Sequence, residues 1–267
     1  VNHESPVSPR SWTGRRLSPD QGLGLRLTLA CLAVFLIAVP FTGLMVLVLT
    51  RWEPLRALDH DTSHAVHRYV LGHLGLVRPL QAISSVFHPW VFRLVIAGLA
   101  GLLFARGARR LALWAMTTLV AGGVLTLLLK SLVGRVRPTL ASPVAHASGG
   151  SFPSGHALTA ALGCALIVLI LLPALSGARR AVAWTAATVI TLATGFSRVA
   201  LGVHYLSDVI AGWVLGVAIV IATVAAFETW RREHGRPAVA PAAEGVEPEA
   251  ASEITPDGRP ERAPGRR

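Results

Sequence analysis

SFPSGHALTAALGCALIVLILL, residues 151–172, decides how the rest of the chain is read. Ala157–Leu172 contains no charged residue and is dominated by Leu, Ile, Val and Ala. A helix that is apolar on every side belongs in a core or in a bilayer, because a surface helix keeps one polar face. Ser154 and Gly155 stand just ahead of this run, where a helix begins with unpaired N–H groups. The stretch reads as a helix that starts in polar surroundings and continues through apolar ones.

Working outward, the pattern repeats. Leu27–Thr50, Trp90–Ala105, Leu111–Leu129, Ala181–Phe196 and Val209–Phe227 are further apolar runs. Several are short against the ~20 residues that a bilayer-crossing helix needs. The sequence predicts an all-α, polytopic membrane protein: a six-transmembrane-helix bundle over residues 26–230. A flexible basic tail over 1–25 precedes it, and a tail over 231–267, rich in Ala, Pro, Glu and Arg, reads as disordered. Six spans put both termini on one side. Arg10, Arg15, Arg16 and Arg26, then Arg106, Arg109 and Arg110, then Arg179 and Arg180, and finally Arg231, Arg232 and Arg236 all fall there. The positive-inside rule makes that side cytoplasmic in a cell membrane. Arg51, Arg56, Arg68 and Arg78 fall opposite.

Composition agrees with a membrane location. Of 267 residues, 52% are hydrophobic and 15% charged, against ~25% charged in soluble domains. The net charge of +11 suggests a nucleic-acid partner, but the arginines lie beside apolar runs and in the tails. That placement suits anionic lipid headgroups, so membrane lipids and not nucleic acid are the expected partners. Lys130 is the only lysine. Cys31 and Cys164 sit inside apolar runs with no metal-like spacing, and read as small buried residues. Residues 51–88 form the longest connection. There Leu55, Leu58, Val66, Tyr69 and Val70 suggest an amphipathic helix lying at the interface. His60, His64 and His67 share a helical stripe that has metal-ligand spacing, but no acidic or cysteine ligand completes a site, so no metal is expected.

Polar clusters interrupt the apolar runs in three places: KSLVGRVRP at 130–138, SFPSGH at 151–156 and SRVALGVHYLSD at 197–208. The six-span layout brings all three to one face. Lys130, Arg137 and Arg198 bring three cations, and Asp208 is the only acid within the clusters. Charges at such depth need partners, and a phosphate dianion matches guanidinium forks. The helix start at Ser154 and Gly155 also favours an anion. His204 and Asp208, four residues apart, share a helical face. A carboxylate on one ring nitrogen fixes the tautomer and frees the other for attack. His156, from another helix, is then available as general acid.

Lys130-(six residues)-Arg137-Pro138, Pro153-Ser154-Gly155-His156 and Ser197-Arg198-(five residues)-His204-(three residues)-Asp208 together resemble the three-part signature of the type 2 phosphatidic acid phosphatase superfamily, with no position departing from it. The resemblance covers Lys130 to Asp208 and the six-span layout. It implies a metal-independent, cofactor-free lipid phosphatase with its site at the outer membrane face. It implies that His204 attacks phosphorus to form a phosphohistidine and His156 protonates the leaving oxygen. Lys130, Arg137, Ser154, Gly155 and Arg198 would hold the phosphoryl oxygens. Substrates in view are undecaprenyl diphosphate, phosphatidic acid and phosphatidylglycerol phosphate.

Three other readings compete. Soluble vanadium haloperoxidases share the cradle, but six apolar spans oppose them. A lipid phosphotransferase would use the same site with a lipid acceptor. A transporter or membrane scaffold should carry polar residues at mid-span and repeated halves, whereas here the polar residues cluster at span ends.

Overall fold

The computed structural model describes Phe35 and residues 38–140 and 144–254. The basic tail over 1–25, Cys31 and the first part of the Leu27–Thr50 run lie outside the described residues. All regular structure among the described residues is helical. The principal helices are α1 (Ala38–Leu49), α2 (Glu53–Gly72), α3 (Val77–Val86), α4 (Pro89–Ala105), α5 (Arg109–Val133), α6 (Gly155–Leu171), α7 (Ala178–Ala200) and α8 (Leu206–Glu233).

Among the described residues, four stretches are long and apolar enough to cross a membrane: Leu74–Ala105, Arg109–Val133, Gly155–Ala174 and Leu206–Glu233. Two expected spans do not reach that measure. The described part of the first run, α1 (Ala38–Leu49), is shorter than that measure. Helix α7 has 23 residues, but Arg179, Arg180 and Arg198 and the threonines at 185, 188, 191 and 194 dilute its apolar character.

The bundle is built around α6. Of its most apolar window 72% is buried, against 22–39% in the other three. Around it, Leu94, Leu127, Leu128, Leu132 and Val182 stand 60–71% exposed, as a lipid-facing belt requires. Helix α8 packs closest to α6. A Cβ on Gly212 would lie 2.7 Å from the Ser154 carbonyl oxygen, and one on Gly216 2.7 Å from that of Leu158. This small-xxx-small spacing lets two backbones touch. At the end of α5 the chain turns through Gly134 at φ 57°, the left-handed cap that glycine adopts without strain.

Helix α2 lies in the 51–88 connection, where an amphipathic helix is expected. It buries Asp59, Ser63, His67 and Val70, while Leu58 and Tyr69 stay 54% and 60% exposed. An apolar face is at home against lipid, so the polar stripe is free to face the other helices. The tail over 231–267 is folded over its described part. Arg231, fully buried, is held by both carboxylate oxygens of Glu249 at 2.7 and 2.8 Å. Val246 and Ala250 join the main core. Composition favours disorder there, but a buried guanidinium needs a carboxylate, and Glu249 supplies it.

Candidate active site

Helices α5, α6, α7 and α8 alternate in direction. The end of α5, the start of α6, the end of α7 and the start of α8 therefore meet at one end of the bundle. All eight residues singled out in the sequence lie there. Lys130, in the last turn of α5, donates from Nζ to the Gly150 carbonyl at 2.7 Å. Arg137 reaches the same carbonyl at 3.3 Å and those of Ser148 and Gly149 at 3.0 and 3.1 Å. The 144–150 loop thus draws two cations together. Gly155 abuts Lys130: an added Cβ would lie 4.0 Å from its Cε. Ser154 caps α6, its hydroxyl 3.5 Å from the Ala157 N–H, and its own N–H binds the Asp208 carbonyl at 2.9 Å.

His204 lies in the short turn between α7 and α8, 2% exposed. Its N–H bonds the Arg198 carbonyl at 3.3 Å. Arg137 donates to Nε2 at 3.1 Å, and Nδ1 is 3.4 Å from the Asp208 carboxylate. A guanidinium only donates, so Nε2 must carry the lone pair and Nδ1 the proton. That is the tautomer a nucleophilic Nε2 needs. Burial pushes the His204 pKa down to about 4; Asp208 opposes the shift, and Arg137 and Arg198 add to it. The imidazole is therefore neutral at pH 7.

His156 occupies the first turn of α6, its ring edge-on to His88 at 4.8 Å between centroids. Among the described residues, His156 Nε2 and Arg198 Nε are buried without a hydrogen-bond partner. A buried polar atom left so costs ~1–3 kcal/mol, which a bound anion and its leaving oxygen would offset. Arg198 binds the Ser84 hydroxyl through Nη1. Lys130, Arg137 and Arg198 meet no carboxylate within ion-pair distance among the described residues.

Sequence reasoning missed four neighbours. Ser84 and His88 come from α3 and the cap of α4. Arg135 binds Asp208 and Asp59, each at 2.7 Å. Asp59 comes from α2, far off in sequence. Asp59 shares its buried face with Ser63, His67 and Val70, and no local pattern in the sequence singles it out. Of the histidine stripe, His60 stacks on His64 and meets Tyr205 edge-on at 5.2 Å, while His67 is buried. No cluster of three His, Cys, Asp or Glu arranged to hold a metal occurs among the described residues.

Helix ends thus gather basic side chains beside a carboxylate-backed histidine, in a helical bundle with four candidate membrane spans among the described residues. The family model described as the PAP2 superfamily matches residues 111–232. The chain is 42% identical over 99 residues to phosphatidylglycerophosphatase B of Bacillus subtilis, covering 36% of this chain and 48% of that protein. It is 37% identical over 109 residues to the lipid A 1-phosphatase of Rhizobium etli, covering 38% and 43%. The chain thus spans about half the length of the curated relatives it matches. The crystal structure of a transmembrane PAP2-type phosphatidylglycerolphosphate phosphatase from Bacillus subtilis superposes with a TM-score of 0.63 at 26% identity, over 71% of this chain and 93% of that one.

Proposed function

We propose that this protein hydrolyses the terminal phosphate of a membrane lipid through a phosphohistidine. Three uncompensated cations beside a neutral, carboxylate-backed His204 carry this reading. As substrate approaches, Arg137 moves from Nε2 to a phosphoryl oxygen. The Nε2 lone pair attacks phosphorus, the bond from phosphorus to the lipid oxygen breaks, and His156 delivers a proton to that oxygen. The imidazolium side of the intermediate keeps its Nδ1–H on Asp208. Water then attacks phosphorus, His156 takes its proton, and the P–N bond breaks to release inorganic phosphate. Lys130, Arg137, Arg198 and the start of α6 hold the spread negative charge, which is the main demand of phosphoryl transfer.

The lipid part also has room. An apolar groove of about 360 Å³ between α4, α6 and α7, lined by Phe87, Val91, Val95, Ile167 and Ile190, begins one residue from His88. It suits a hydrocarbon chain beside the leaving oxygen. The named relatives favour phosphatidylglycerol phosphate as first substrate, with phosphatidic acid and undecaprenyl diphosphate behind it. Six spans, with the site at the outer face of the cell membrane, fit the arginines at 106–110, 179–180 and 231–236, which gather at the far end of the bundle. The test is purified protein in detergent assayed for phosphate release from these three lipids and from a lipid A 1-phosphate. Release from at least one, undiminished by a chelator, supports the reading. Release from none sinks it, and release only with a lipid acceptor turns it into phosphotransfer.

A further inference from the structure

We infer that Asp59, on α2, is a positioning residue of the nucleophile: it holds Arg135 so that Asp208 keeps its negative charge for His204. This rests on the phosphohistidine reading above. Asp59 is 0% exposed. Its carboxylate accepts from the Ser207 N–H at 2.9 Å, from the Ser207 hydroxyl, and from Arg135 Nη2 at 2.7 Å. The other guanidinium nitrogen of Arg135 binds the Ser207 hydroxyl and Asp208, each at 2.7 Å. Arg135 also lies over the Tyr205 ring, 4.2 Å from its centroid. Arg135 is thus fixed on three sides, directly behind the carboxylate that backs His204.

The charge count gives this arrangement its meaning. Asp208 alone against Arg135 would be neutral, and would do little for the positive charge that grows on His204 as phosphorus is attacked. With Asp59 the group of two carboxylates and one guanidinium keeps a net charge of −1. That is the charge an imidazolium calls for. A purely structural anchor for α2 would need the hydrogen bonds but not the charge.

Asp59→Asn keeps an oxygen for the Ser207 N–H and removes the charge. The expected result is a kcat lower by about 10- to 100-fold with KM little changed, since partners one step behind a reacting group act at about this level. The double substitution Asp59→Asn with Arg135→Gln restores the net charge of −1. It should be faster than Asp59→Asn alone, so the cycle is strongly non-additive. Losses that multiply, or a double variant slower than the single, overturn the inference. So does a loss fully explained by a smaller folded fraction at unchanged kcat. Should Asp59→Asn fail to insert, the charge-conserving double variant decides alone: a kcat down by more than about 100-fold counts against the proposal. His204→Ala in the same assay separates the two levels, because activity surviving there removes the parent reading whatever Asp59 does.

Discussion

The two ends of α8 treat arginine in opposite ways. At the end that follows Glu228, Arg231 is fully buried between Glu249 and Glu228, Arg232 pairs with Glu228 at 2.9 Å, and Arg236 meets Glu247. At the end that begins with Leu206, Lys130, Arg137 and Arg198 have backbone carbonyls, a serine and the His204 ring for company, and the nearby acids are already engaged with Arg135 and His204. Both ends bury basic groups, so burial alone says nothing about function. What differs is whether the protein supplies the counter-charge itself. Where it does, the arginine fastens a tail; where it does not, the proposed function assigns the charge to a phosphate.

Three measurements break or sharpen that contrast. The largest effect is expected from His204→Ala, which should lower kcat by about ten-thousandfold or more, as loss of a nucleophile-centred group does, while the protein still inserts and folds. Retained turnover would mean that the wrong imidazole has been chosen. Next come the paired substitutions Arg198→Gln and Arg231→Gln. The first should cut kcat/KM by about a hundred- to a thousandfold at little cost in stability. The second should leave kcat/KM of the folded protein intact and lower unfolding stability by about 1–3 kcal/mol. A common phenotype at both ends would erase the distinction. The smallest effect concerns pH. With the His204 pKa pushed down to about 4 by burial, protonation of the nucleophile should cause no loss of kcat/KM between pH 7 and 5; any change there belongs to the acid His156 and to the substrate's own ionisation near pH ~6. A loss of kcat/KM as pH falls through ~6.5, beyond that substrate correction, would contradict the burial. Stability should move the other way. The unfolded chain gains a proton as pH falls below ~6.5 while folded His204 does not, so stability is lost steadily from there down to about 4.

The legibility of the site followed from contrast. Lys130, Ser154, His156, Arg198, His204 and Asp208 each interrupt or border an apolar run, so hydropathy alone marks them and the alternation of spans collects them. Asp59 has no such background. It stands two residues from Asp61 in a segment full of polar side chains, and nothing local tells the buried acid from the exposed one. The rule that apolar stripes face inward also misleads at a membrane, where α2 turns Leu58 and Tyr69 outward and its acid inward. The tail was misjudged for a related reason. Composition over 237–254 favours disorder, and the anchor that fastens it joins residues 231 and 249, a pairing no local pattern displays.

The bare backbone contact between α8 and α6 has a mechanical consequence. Gly212 rests on the carbonyl of Ser154, two residues before His156, while His204 leads into the same α8. The spacing of the two imidazoles is therefore set by hard main-chain atoms and by the absence of a methyl group. Flexible side chains and connecting loops have little say in it. Lengthening the 144–150 loop should leave that gap unchanged, whereas Gly212→Ala would pry it open.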